Sequence, residues 1–207
     1  MSASQSPTDR RRAPYIAAAV CLTAGLATAF TGCGTPVPII PEGAWAVSFV
    51  QPSALDCLVS NENTNIGNIS PDQVSDLIED GGTMPNGEVV SVSCSVIDNG
   101  GTFTVQASES GAGLILSIAI NELSPSATKD KPSKGVVLYQ SIHTANSFSQ
   151  EDCNFYFLDK TKQSVSEGAV FLTFECDKIA VGADNICKIS PGYAAFEKCA
   201  ITKEQNN

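Results

Sequence analysis

Val90-Ser91-Val92-Ser93-Cys94-Ser95-Val96 alternates strictly between apolar and polar positions, and Asp98-Asn99-Gly100-Gly101 and Phe103-Thr104-Val105-Gln106-Ala107 follow directly. A side-chain period of two marks a half-buried strand, and a turn of residues that tolerate positive φ between two such runs marks a β-hairpin. The same period recurs on both sides. Before the hairpin, Trp45, Val47 and Phe49 share one face of a strand. After it, Leu114 to Ile120, Val136 to Ile142, Cys153 to Leu158 and Ala169 to Cys176 read as further strands, and Ile179 to Val181, Cys187 to Ile189 and Tyr193 to Ile201 continue the pattern past a Pro191-Gly192 turn. Cys57 to Val59 reads as another short strand and Asn61 to Asn68 as a polar turn. Short strands separated by Gly, Pro, Asn and Asp predict an all-β domain, an antiparallel β-sandwich of about eight to nine strands. One short helix is expected near 71–80, because Ser70-Pro71-Asp72-Gln73 has the pattern of an N-cap, a first-turn proline and a third-position Gln, with Val74, Leu77 and Ile78 on one face.

The N-terminal 33 residues have a different character. Arg10-Arg11-Arg12 precedes an apolar run from Ala13 to Phe30, and Thr31-Gly32-Cys33 closes it. A charged segment, a short apolar segment and small residues form the layout of a secretory signal peptide. The run is rich in Ala, Gly and Thr and falls short of the roughly 20 strongly apolar residues of a spanning helix. Phe30-Thr31-Gly32-Cys33 resembles the lipobox of bacterial lipoproteins, with Phe30 in the place where Leu is usual. The resemblance implies cleavage after Gly32, a signal peptide of residues 1–32, and a Cys33 carrying acyl chains such as palmitate. Residues 33–43, with Pro36, Pro38 and Pro41, then read as a short tether, and residues 44–207 as one domain. Gly34 after the lipidated cysteine lacks the Asp associated with inner-membrane retention, which implies an outer-membrane lipoprotein facing the periplasm or the cell surface.

The whole chain carries 12 Lys plus Arg against 22 Asp plus Glu. The signal segment holds three of the basic residues and one acid, so the mature chain is more acidic still. That balance argues against nucleic acid and anionic lipid surfaces as partners, since both require clustered positive charge. Membrane attachment is then expected through the lipid on Cys33 alone.

Six cysteines remain in the mature domain: Cys57, Cys94, Cys153, Cys176, Cys187 and Cys199. An even set in an exported chain predicts three disulfides, for which 15 pairings are open. No Cys-x-x-Cys occurs and His143 is the one histidine, so no metal or other cofactor is expected. The segment Ser91–Cys176 resembles the mycobacterial lipoprotein antigen family in its Cys94 strand, its Asn-Gly-Gly turn, Gly135-Val-Val-Leu-Tyr139 and Thr173-Phe-Glu-Cys176. Phe174-Glu-Cys176 through Gly192-Tyr193-Ala-Ala-Phe196-Glu-Lys-Cys199 resembles uncharacterised lipoproteins of myxobacteria. The first resemblance implies that Cys94 pairs with Cys176, and with it Cys187 with Cys199 and Cys57 with Cys153.

No catalytic residue is assigned. No Gly-x-Ser-x-Gly accompanies His143, which reads as an ordinary loop residue. Glu79-Asp80 and Glu151-Asp152 are adjacent acids that do not face one another in either a strand or a helix, and read as solvated surface. Lys129, Lys131 and Lys134 form the one basic cluster of the mature chain and read as a solvated loop. Tyr156 and Phe171 fall on the opposite face from their neighbours, where they line either a contact surface or a second core face covered by another sheet. The expected function is a lipid-anchored binding or interaction protein of the envelope without catalytic activity, engaging another envelope protein or an apolar ligand between its sheets. A purely structural surface lipoprotein is the alternative, and an envelope hydrolase ranks below both.

Overall fold

The computed structural model of the chain describes residues 39–52, 57–182 and 185–202. The expected signal peptide, Cys33 and the expected tether up to residue 38 lie outside the described residues. Thirteen strands and no helix make up the described part: β1 (Glu42–Val50), β2 (Glu62–Ile66), β3 (Asn68–Ser70), β4 (Gln73–Asp76), β5 (Ile78–Glu79), β6 (Ser91–Asp98), β7 (Phe103–Gly111), β8 (Leu114–Leu123), β9 (Ser133–Gln140), β10 (Phe148–Tyr156), β11 (Ser164–Ser166), β12 (Ala169–Val181) and β13 (Asn185–Glu197).

Eleven of these form one antiparallel sheet in the order β2-β1-β13-β12-β10-β9-β8-β7-β6, with β5 beside β1 and β11 beside β12. The quoted segment is the β6–β7 hairpin, paired from Ser91↔Ser110 to Asp98↔Phe103. Asp98 Oδ1 accepts from the Gly100 amide at 2.7 Å, and Gly100 and Gly101 take φ of 81° and 123°, which closes the turn.

The sheet curls until β6 reaches the segments after β13 and β5, so the two facing walls expected of a sandwich come from one sheet. Ser95 bridges in parallel to Ala200, just past β13; the Val96 amide donates to the Ala200 carbonyl and the Ala200 amide to the Cys94 carbonyl, both at 2.9 Å. Higher on β6, the Val92 amide donates to Asp80 Oδ1 at 2.8 Å and the Val90 amide to the Gly82 carbonyl at 2.8 Å. Those acceptors follow β5, which itself pairs with β1 at Gly43↔Ile78. The outer edge of β6 is therefore covered along most of its length instead of presenting free amides.

Inside the curl lie the side chains that alternate inward: Trp45, Phe49, Leu116, Ile118, Tyr139, Phe148, Phe155, Phe174 and Phe196 are all fully buried. Phe155 and Phe174 stack at 5.9 Å between ring centroids. Phe174 also lies over Gly192, where an added Cβ would overlap its ring atoms.

Five expectations are corrected. Cys57 to Val59 forms no strand, and Pro191-Gly192 is no turn but lies within β13, where Gly192 pairs with Val47 and Phe174. Residues 71–80 form no helix: Ser70 pairs with Gln73 and Ile69 with Val74 in the β3–β4 hairpin, and Ile78 and Glu79 form β5. Proline's fixed φ suits the second residue of a β-turn as well as a helix start, and Ser70 Oγ donates to the Gln73 carbonyl at 3.3 Å within that turn. Asn61 to Asn68 is not a turn but holds β2, which pairs with β1 from Trp45↔Ile66 to Phe49↔Glu62. The disulfides are Cys57–Cys187, Cys94–Cys199 and Cys153–Cys176, so none of the pairings Cys94–Cys176, Cys187–Cys199 and Cys57–Cys153 forms. The sheet order explains this. The register Asn154↔Glu175 sets Cys153 directly opposite Cys176, with Cα atoms 4.5 Å apart. Cys94 sits on β6, whose neighbour beyond the hairpin is the chain leaving β13, so it meets Cys199. Three disulfides belong to an oxidising, exported environment, and among the described residues no helix is long and apolar enough to cross a membrane.

Candidate functional site

β1, β9 and β12 all run toward one end of the curled sheet, the end of β1 away from Ile39. Two polar features at this end stand out against the apolar interior. Glu62 of β2 points inward, as does Ile66 two pairs away. Its Oε1 accepts from Tyr139 Oη at 2.7 Å and from Ser141 Oγ at 2.6 Å, while Thr64 Oγ1 donates to the same tyrosine oxygen at 2.9 Å. Burial raises the Tyr139 pKa first, and the hydrogen bond and charge of Glu62 raise it further. Below the cluster, Tyr139 stacks on Phe49 at 5.1 Å and meets Trp45 edge-on at 6.2 Å. Glu62 Oε2 and Trp45 Nε1 are buried without a partner.

The second feature is the loop Ser141–Thr144, which this cluster holds. Ser141 is buried, and its amide donates to Thr144 Oγ1 at 2.7 Å; the Thr144 amide and hydroxyl both donate back to the Ser141 carbonyl, at 3.1 and 3.0 Å. The His143 amide donates to Ser141 Oγ at 3.1 Å. Between these fixed ends Ile142 stands 68% exposed, beside an exposed His143. Leu58, 76% exposed and held by its amide on Asn185 Oδ1 at 2.9 Å, lies at the same end next to the Cys57–Cys187 bridge. The arrangement presents apolar side chains on backbone that cannot relax away from water. Ser141 Oγ donates to Glu62 from inside the fold and so supports the loop.

The other residues singled out in the sequence fall elsewhere. Lys129 pairs with Glu175 at 3.0 Å and lies 5.9 Å from the Tyr156 ring centroid, which covers one face of that buried tyrosine. Lys134 bonds Asn154 Oδ1 at 2.6 Å, and Lys131 is exposed on the same loop. Phe171 packs with Ala44, Ile69, Val74, Leu77, Tyr193 and Ala195 under the β3–β4 hairpin, a second core face covered by another sheet. Glu151 and Asp152 are exposed, and Asp80 is occupied by the Val92 amide. Among the described residues no cluster of His, Cys, Asp and Glu is placed to hold a metal ion.

Two acids went unnoticed in the sequence. Besides Glu62, Glu109 of β7 is fully buried with both carboxyl oxygens unpartnered. It faces Gly43 of β1, where a Cβ would come within 2.9 Å of its Oε2, and burial pushes its pKa up to about 8. The signal that could have found it is parity: Phe103, Val105, Ala107 and Glu109 share a face.

Beside Ile39 and Pro41, the outer face of β6–β8 and the segment after β13 form a groove of about 1060 Å³. Ser93, Ser95, Gln106 and Ser117 line its floor, and Ile39, Pro41 and Ile201 its rim. No protein-family model, curated protein or solved structure matches the chain.

Proposed function

We propose that the chain is an exported envelope protein, anchored by lipid on Cys33, whose domain is a non-enzymatic binding module that engages another envelope protein through the far end of its sheet. The observation that carries this reading is the rigid display of Ile142 on the Ser141–Thr144 loop, pinned through Ser141 to Glu62. An apolar side chain held in water on ordered backbone loses little entropy when a partner covers it, and preordering of this kind favours association. The buried aromatic side chains occupy the inside of the curl, which favours a protein partner over an apolar ligand between the sheet walls. The lipid anchor rests on the Phe30-Thr31-Gly32-Cys33 pattern, and the three disulfides suit an exported chain.

Photocrosslinking in intact envelopes tests the reading. A photoreactive side chain at position 142 is expected to yield one discrete adduct with a second protein, and the same group at Ser117, on the open outer face of β8, none. A purely structural lipoprotein would give no discrete adduct from either position, and that result would overturn the proposal.

A further inference from the structure

The near end of the sheet carries its own unexplained apolar surface. Ile39 is 73% exposed, Ile40 43% and Ile201 50%, although each stands next to ordered backbone. Ile39 and Ile201 rim the same groove. Ile201 is positioned tightly: it follows Cys199, which is bonded to Cys94, the Cys199 amide donates to the Gly168 carbonyl at 2.9 Å, and the Ile201 side chain rests on the Gly168 turn. Both ends of the described chain thus bring isoleucines to one place.

We propose that this end seats on the lipid bilayer, with Ile39, Ile40 and Ile201 entering its interfacial layer. The inference rests on the lipid anchor at Cys33. Ile39 is six residues beyond that cysteine, and an extended chain spans at most about 3.5 Å per residue, so the lipidated Cys33 stands within roughly 20 Å of Ile39, which shares its groove with Ile201. A bilayer is then the one apolar phase permanently within reach of this surface. Charge points the same way. Among the described residues the lysine that lines this groove, Lys198, is matched by two acids, Glu42 at 2.9 Å and Glu79 at 3.5 Å. The surface therefore offers little net attraction to anionic headgroups, and the contact is apolar. Seated this way, the domain turns Leu58 and Ile142 away from the membrane.

The test uses the full chain in a bacterium that processes lipoproteins, with a diazirine side chain at position 39, 201 or 142, and mass spectrometry of the irradiated membranes. All three positions are exposed, so the substitutions leave the core intact, and the disulfide pattern verifies folding. Lipid adducts are expected at 39 and 201 in roughly tenfold excess over 142. A chain that floats with the membranes but labels equally from all three positions overturns the seating and leaves the anchor standing. A chain found in the soluble fraction overturns both.

Discussion

Tyr139 of β9 donates a hydrogen bond to Glu62 of β2, 2.7 Å away and 77 residues earlier in the chain. Because β2 ends one side of the sheet order and β9 lies near its middle, this bond ties two walls of the curl together across the interior. Replacing Tyr139 by Phe removes the donor while Glu62 stays buried. Tyr139→Phe is expected to cost about 1–3 kcal/mol of stability, read as a lower urea midpoint at unchanged slope, and to speed amide exchange in the Ser141–Thr144 loop.

Buried Glu109 makes stability fall as pH rises. In the unfolded chain its carboxyl ionises near 4.5, whereas the fold retains the proton until about 8. Between those values the unfolded state binds fewer protons than the native one, so this group's contribution is greatest below pH 4.5 and declines through the window up to pH 8. The expected loss is on the order of a few kcal/mol. Glu109→Gln, which cannot ionise, should flatten that decline in denaturation curves taken from pH 4.5 to 8.

The disulfides differ in how much of the unfolded chain they constrain. Cys94–Cys199 spans 105 residues and Cys153–Cys176 spans 23. On the chain-entropy model, opening the longer loop costs about 1 kcal/mol more than opening the shorter one, with each bridge typically worth ~2–4 kcal/mol. The double variant Cys94→Ala/Cys199→Ala should therefore unfold at lower urea than Cys153→Ala/Cys176→Ala. Peptide mapping of the unreduced protein should recover 57–187, 94–199 and 153–176, and a 94–176 peptide would refute the sheet order itself.

Gly192 leaves room for the Phe174 ring. Gly192→Ala should displace that ring from its stack on Phe155 and cost about 1–3 kcal/mol. Adding Phe174→Leu should return part of that loss, because the smaller side chain no longer meets the new methyl group.

The strands with a clean period of two were legible in the sequence. Val90 to Val96, Phe103 to Ala107 and Leu114 to Ile120 face the interior where the alternation says they should. β2 was not, because Glu62 and Thr64 replace apolar residues on its inward face and erase the pattern. The helix expected at 71–80 failed because its start signal is shared with a turn, and the pairing with β1, which decides the matter, is long-range. Cysteine partners depend on which strands the curl brings together, a property of the whole sheet. Ile142 and the Glu62 cluster were invisible for the same reason: the carboxylate lies on β2, its two hydroxyl donors on β9 and the loop just after it, and they meet only in the fold.

β1 pairs with β13 along nearly its full length, from Glu42↔Glu197 to Val50↔Lys188. A chain made from its N-terminus therefore completes its first strand long before that strand's main partner exists. Most of the native pairings of β6 to β10 can form while β1 waits, but the cylinder shuts only after the last strand arrives. Folding governed by so distant a contact is slow, and until it finishes β1 offers one open, apolar edge. The interval between the first strand and the last is thus when this protein is most exposed to wrong partners, and when a chaperone would find it.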